Sequence, residues 1–237
     1  MKKNILDIYK EKHDQFIILV SGLSSTGKTK LAKQLERDFK LKLIDTKQFM
    51  KENNSVTFKL LNGAEIINVD RDDVVDWDKL NNEVDTYKKD GIVIVGVAFP
   101  TSLLKFKPDY HIHLKIPKQL LKEKREKFIK DHPEKNYNLE NEMLRISALT
   151  YPYYVDVVTR MAINKFINIA DIKPSELYDN VFDSLIKFIW ENIPQPKKKE
   201  KEHDTEQESS LDMQHIKDPY LEEAYPRYGY SIEFNDE

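Results

Sequence analysis

Gln15-Phe16-Ile17-Ile18-Leu19-Val20-Ser21-Gly22-Leu23-Ser24-Ser25-Thr26-Gly27-Lys28-Thr29 is the stretch on which the fold turns. Its first six residues include an unbroken apolar run, the pattern of a strand buried on both faces. From Gly22 to Thr29 it reads G-x-x-x-x-G-K-T, the phosphate-binding P-loop pattern. Glycine permits backbone angles and close approaches that a Cβ forbids, so successive N–H groups of Gly22, Leu23, Ser24, Ser25, Thr26, Gly27, Lys28 and Thr29 can point at one anion. Lys28 then reaches the β- and γ-phosphates of ATP, and the Thr29 hydroxyl is a ligand for Mg²⁺. After the loop, Leu31, Ala32, Leu35 and Phe39 share one face of a helix, whose N-terminus adds partial positive charge. A chance match arises in about one chain in a hundred of this size, and the flanking strand and helix make chance a poor account.

Outward from this motif, composition narrows the class. The chain has 237 residues, no cysteine, 38 Lys/Arg and 41 Asp/Glu. Disulfides, a thiolate nucleophile and cysteine-ligated zinc are excluded. No run of about 20 apolar residues is present to cross a bilayer, and the start lacks the apolar stretch of a secretory signal, so a soluble, intracellular, cytoplasmic protein is expected. The net charge of −3 is uneven: residues 194–237 carry 6 basic and 12 acidic groups, leaving residues 1–193 with a net of +3. That modest value points away from nucleic acid as a partner. Residues 194–210, PQPKKKEKEHDTEQESS, have nothing to bury and read as a disordered linker. Tyr220, Tyr225, Tyr228, Tyr230 and Phe234 follow among acids, either as a docking segment for a protein partner or as an inert tail. The expected organisation is a P-loop kinase-like domain over 1–193 and a charged tail over 194–237.

A later strand, Ile92-Val93-Ile94-Val95-Gly96-Val97, ends without the magnesium-holding carboxylate common in motor and switch P-loop proteins. Together with the small body, this favours a compact small-molecule kinase. Segments around Asn62-Gly63 read as a hairpin. Asp76 is placed to cap a helix in which Trp77, Leu80, Val84 and Tyr87 share a face. Carboxylates before that helix, including Asp70 and Asp73, are able to accept two hydrogen bonds from a vicinal diol, or to form an ordinary solvated acidic loop. Tyr110-His111-Ile112-His113-Leu114 alternates like a strand, and its two histidines read as a solvent-facing side with no third ligand for a metal.

With these residues in view the chain resembles the nicotinamide riboside kinase and uridine kinase group, P-loop nucleoside kinases of the NMP-kinase-like fold. The resemblance covers about residues 15–193. It rests on the P-loop with Lys30-Leu31-Ala32-Lys33-Gln34-Leu35, on Asn68-Val69-Asp70 followed by Asp76-Trp77-Asp78-Lys79-Leu80, on Ile116-Pro117 followed by Lys122-Glu123-Lys124-Arg125, and on Tyr151-Pro152-Tyr153-Tyr154. It implies a three-layer α/β fold with a parallel sheet flanked by helices and a small helical lid, and ATP-dependent phosphorylation of a nucleoside-like 5′-hydroxyl. It makes Asp70 the candidate ribose ligand, and Arg125 with Lys124 the lid cations that stabilise the transferred phosphoryl group.

Two positions depart from that group. Its catalytic Asp follows the second strand in a D-x-F/Y pattern, but aligning Phe49 puts Lys47 there and leaves Asp45 two residues earlier. Asp45 then either serves as base and magnesium partner or merely caps the next helix. Where the group has Glu-Gly, this chain has Val95-Gly96. These losses keep open a second reading, a catalytically degenerate nucleotide-binding module with a partner-docking tail.

Overall fold

The computed structural model describes residues 4–52 and 56–194, so the segment expected to form the tail lies, from 195 onward, outside the described residues. In chain order the elements are α1 (Ile5–His13), β1 (Ile17–Gly22), α2 (Lys28–Phe39), β2 (Lys42–Asp45), β3 (Thr57–Lys59), β4 (Glu65–Ile67) and α3 (Trp77–Tyr87). There follow β5 (Ile92–Gly96), β6 (Tyr110–Lys115), α4 (Lys118–Asp131), α5 (Leu139–Arg145), α6 (Tyr151–Val158), β7 (Lys165–Asn168) and α7 (Leu177–Glu191). The described residues fall into two compact units, one within 14–185 and one combining 4–13 with 186–194.

In the larger unit five strands form a sheet in the order β2-β5-β1-β6-β7, with every pairing parallel. β1 is buried at all its positions because it pairs on both sides and both sheet faces are covered, as its continuous apolar run requires. Ile17 and Leu19 meet Ile44, Ile92, Ile94 and Phe99 together with Leu80 and Val84 of α3. The other helical stripe, on α2, buries Leu31, Ala32, Leu35 and Phe39, and Phe39 meets Phe182 of α7 with ring centroids 5.4 Å apart. This is the P-loop three-layer α/β fold. Because the chain first moves from β1 to β2 and later crosses back over β1 to β6, the carboxyl ends of the central strands form the crevice where such sheets bind ligands.

Most local expectations hold. Asp76 caps α3 by accepting from the Lys79 N–H at 3.1 Å. Pro117 stands immediately before α4, its fixed φ compatible with a helix start. β3 and β4 pair antiparallel around Gly63, whose φ of +85° suits a turn glycine. One expectation fails: His111 and His113 do not face solvent. β6 is an interior strand, and the two rings are 1% and 0% exposed. No helix among the described residues is long and apolar enough to cross a membrane.

The smaller unit pairs α1 with the end of α7. Tyr9 stacks on His13 at 4.3 Å and meets Phe188 at 5.8 Å. Lys12 Nζ and His13 Nε2 both donate to the Asn192 carbonyl at 2.9 Å, satisfying an acceptor left over at a helix C-terminus.

Candidate functional site

The P-loop leaves β1 at a glycine that no other residue can replace without movement. Gly22 has φ +148°, and a Cβ there would lie 2.6 Å from the Leu114 carbonyl oxygen. The loop continues through positive φ at Ser25 (+66°) and Gly27 (+90°), so that residues 22–29 curl before α2 begins. Within the curl, Thr26 Oγ1 donates to the Leu23 carbonyl at 2.9 Å and Lys28 Nζ donates to the same oxygen at 3.2 Å. Ser24, Ser25 and Gly27 remain exposed. Gly27, at the helix N-cap, offers no side-chain cap, and the first turn of α2 holds no acidic residue. The amino end of this helix therefore keeps uncapped N–H donors and their partial positive charge, an anion site by construction.

Lys28 itself is 9% exposed. Burial, and secondarily the charge of Lys47, lower its pKa from 10.5 to about 8, while Asp45 works the other way. A buried ammonium of this kind is held in an unfavourable state that a neighbouring anion relieves. Asp45 lies at the carboxyl end of β2, in register with Val95, which in turn aligns with Val20 of β1. Its Oδ1 accepts from the Lys47 N–H at 3.0 Å, capping a 3-10 turn over Thr46–Phe49. The capping expectation for Asp45 is thus met by one oxygen, and among the described residues its other oxygen has no hydrogen bond. Lys47 is exposed, and Val95 is fully buried and apolar. The turn of Thr46–Phe49 is stitched to the loop before α3: Asp76 N–H donates to the Phe49 carbonyl at 2.8 Å and Lys51 N–H to the Val74 carbonyl at 2.9 Å.

On the far side of the P-loop a cleft is lined by Gly27, Gln34, Lys124, Ile172, Pro174 and Leu177. One wall is the start of α2, the other a loop after β7 with apolar side chains, and Lys124 of α4 reaches its rim. Arg125, its neighbour in sequence, turns elsewhere: Nε donates to Glu142 Oε2 at 2.9 Å, Nη2 forms an ion pair with the same oxygen at 2.9 Å, and its guanidinium lies 4.3 Å from the Tyr137 ring centroid. Lys124 and not Arg125 therefore lines the cleft beside the P-loop.

Asp70 is deeply placed and already engaged. Its Oδ2 accepts from Thr150 Oγ1 at 2.8 Å and from Arg145 Nη2 at 3.3 Å, while Oδ1 has no hydrogen bond among the described residues. Asp72, which sequence reasoning passed over, accepts from Tyr153 Oη at 2.9 Å and from Arg160. Burial, and then the Asp72 charge, push the Tyr153 phenol well above its usual range. Asp73 is exposed and paired with Arg71. The structure thus brings Asp70 together with Arg145, Thr150 and, through Glu142, Arg125. The signal for these partners was too spread along the chain, from 70 to 160, to be read locally.

The last feature missed is a buried polar chain beneath the P-loop. Ser21 Oγ, one residue before Gly22, lies 2.7 Å from His111 Nε2 and 2.7 Å from His113 Nδ1. His111 Nδ1 donates to the Ala162 carbonyl at 2.8 Å, and His113 Nε2 lies 2.8 Å from Tyr154 Oη. Burial lowers both histidines to about 4. Among the described residues no group of three or more His, Asp or Glu is arranged to hold a metal ion.

These features define a three-layer P-loop α/β fold. No family model matches the sequence, and a search of curated proteins finds no match. Among solved structures, a sugar kinase from Janibacter sp. HTCC2649 is similar at 13% identity and a TM-score of 0.45, covering 76% of this chain and 99% of its own. A gluconokinase from Sinorhizobium meliloti 1021 is similar at 12% identity and a TM-score of 0.48, covering 75% of this chain and 95% of its own. Likeness at this level concerns the fold and not the acceptor.

Proposed function

We propose that the chain is an ATP-dependent kinase that transfers the γ-phosphoryl group to a hydroxyl of a small, nucleoside-like acceptor, the ribose 5′-hydroxyl of a nicotinamide riboside or uridine type of molecule. The observation that carries the reading is the P-loop itself: exposed amides at an uncapped, acid-free helix start, with Lys28 buried beside them and lowered to about 8. That arrangement suits a polyanion. Thr29 would hold Mg²⁺, an ion that retains phosphate and water ligands, and the second oxygen of Asp45 would be left to serve as base. When bound, that ion neutralises charge on the β- and γ-oxygens.

The chain's own residues then divide the work. The amides of residues 22–29 and Lys28 hold and neutralise the phosphates. Lys124 borders the cleft beside the P-loop. Asp70 Oδ1 is available to accept from a diol while its Oδ2 stays with Thr150 and Arg145. The acceptor O–H gives its proton to Asp45 as its oxygen bonds to phosphorus, and ADP leaves with the electron pair of the broken P–O bond. Arg125 joins the phosphoryl group only after letting go of Glu142. The uncharged ribose hydroxyls of such an acceptor suit the loop of residues 70–73, where each carboxylate already meets an arginine.

The experiment is ATP consumption with Mg²⁺ over a nucleoside panel containing nicotinamide riboside and uridine, alongside Lys28→Ala. Turnover on one member, lost in the variant, supports the kinase; turnover that survives Lys28→Ala sinks the scheme. A second reading, the degenerate module with a docking tail at residues 194–237, is favoured by Lys47 at the expected base position and by apolar Val95. Tight ATP binding with no turnover on any acceptor selects it. Either reading keeps the protein in an ATP-containing compartment such as the cytoplasm.

A further inference from the structure

The polar chain beneath the P-loop has only one consistent direction. The Ala162 carbonyl accepts and cannot donate, so His111 carries its proton on Nδ1 and presents a bare Nε2. Ser21 must then donate to His111 and accept from the Nδ1–H of His113. That leaves His113 Nε2 bare, and Tyr154 O–H fills it. Each link from the Tyr154 hydroxyl to the Ala162 carbonyl then pairs one donor with one acceptor, and reversing any link sets two donors or two lone pairs face to face. With both rings neutral, the chain carries no charge at neutral pH. Its role is geometric.

What it connects is informative. Ser21 is the residue of β1 that precedes Gly22, the start of the P-loop. Tyr154 belongs to α6, and the same helical run grips the acidic loop: Thr150 bonds Asp70 and Tyr153 bonds Asp72. Adjacent residues 153 and 154 therefore hold the two candidate substrate regions from one short helix. His113 is clamped further by Tyr154, stacked at 20°, and by the edge of Phe166.

We infer that Ser21, His113 and Tyr154 are positioning residues that tie the strand carrying the P-loop, through α6, to the loop carrying Asp70 and Asp72, so that the two candidate substrate sites are held in register. The inference rests on the P-loop being a nucleotide site. Removing the tie loosens the P-loop against the acceptor loop without touching a phosphate ligand.

The test has two arms. In wild-type protein at pH 7, ¹⁵N NMR should find both His111 and His113 with the proton on Nδ1; a proton on Nε2 of either ring overturns the chain as drawn. In calorimetry with Mg²⁺ and ATP, Tyr154→Phe and Asp72→Asn should each weaken binding by about 5-fold or more, a typical size for coupled sites. The double variant should be no weaker than the weaker-binding single variant. Ser21→Ala, which breaks the chain at its centre, should reproduce Tyr154→Phe. Effects that multiply, or a Tyr154→Phe protein that binds like wild type, overturn the tie while leaving the nucleotide reading intact. A wild-type protein that binds no ATP at millimolar concentration removes both together.

Discussion

At the P-loop, the amino end of α2, Lys28 and Lys47 contribute positive charge and Asp45 is the carboxylate that opposes it, whereas along residues 70–73 each carboxylate meets an arginine. The first region is left short of negative charge, and Lys28 bears the cost as a lowered pKa. The second is balanced by its own chain. A site that waits for a polyanion can leave its cations unsatisfied, because the ligand supplies the missing charge. A site for uncharged hydroxyls has no such supply, so its carboxylates must be paired within the protein.

Lys28→Ala offers the largest way to break this contrast. It removes the buried cation, and ATP turnover should fall by about 10²- to 10³-fold, the usual loss when a preorganised charge-stabilising donor is deleted; a coupled ATPase or kinase assay reads it. Arg145→Ala strikes the other region. It strips Asp70, whose side chain is 11% exposed, of its ion pair, and urea unfolding should show a loss of about 1–3 kcal/mol, as for a buried group left unsatisfied. Arg145→Lys should recover only part of it, because an ammonium cannot reproduce the fork.

Lys47→Ala sharpens the contrast through pH. Lys28 binds phosphate as an ammonium, so ATP affinity should be full below about pH 8 and fall as pH rises through that value. Without the Lys47 charge the Lys28 pKa rises, and calorimetry across pH 7–9.5 should place the fall at a higher pH. The linkage to folding has the opposite sense for the empty protein. Because Lys28 in the fold holds its proton less tightly than the 10.5 of a free lysine, its contribution to stability increases between about pH 8 and 10.5. The smallest effect belongs to Asp73→Asn, an exposed pair partner of Arg71 whose removal should leave the melting temperature unchanged in a thermal scan.

The two regions also differ in how far they could be read before the fold was known. The loop of residues 22–29 is contiguous, and its glycines, its lysine and the helix that follows act within a few residues of one another. The strand before it, the cap at Asp76 and the turn at Gly63 are legible for the same reason. His111 and His113 were not, because the alternation that marks a half-exposed strand is identical to that of an interior strand whose polar side is satisfied by Ser21 and Tyr154. Strand order decides between the two, and strand order is a property of distant pairings. Asp70 was legible as a candidate, yet its partners lie 75 and 80 residues away.

Sequence alone therefore determined the phosphate cradle and the α/β class, because short-range backbone sterics and apolar periodicity act between neighbours in the chain. Tertiary structure decided which acids are already paired, which of Lys124 and Arg125 lines the cleft beside the P-loop and which histidines are buried. Those outcomes depend on desolvation and on hydrogen bonds between residues that only the sheet order brings within reach.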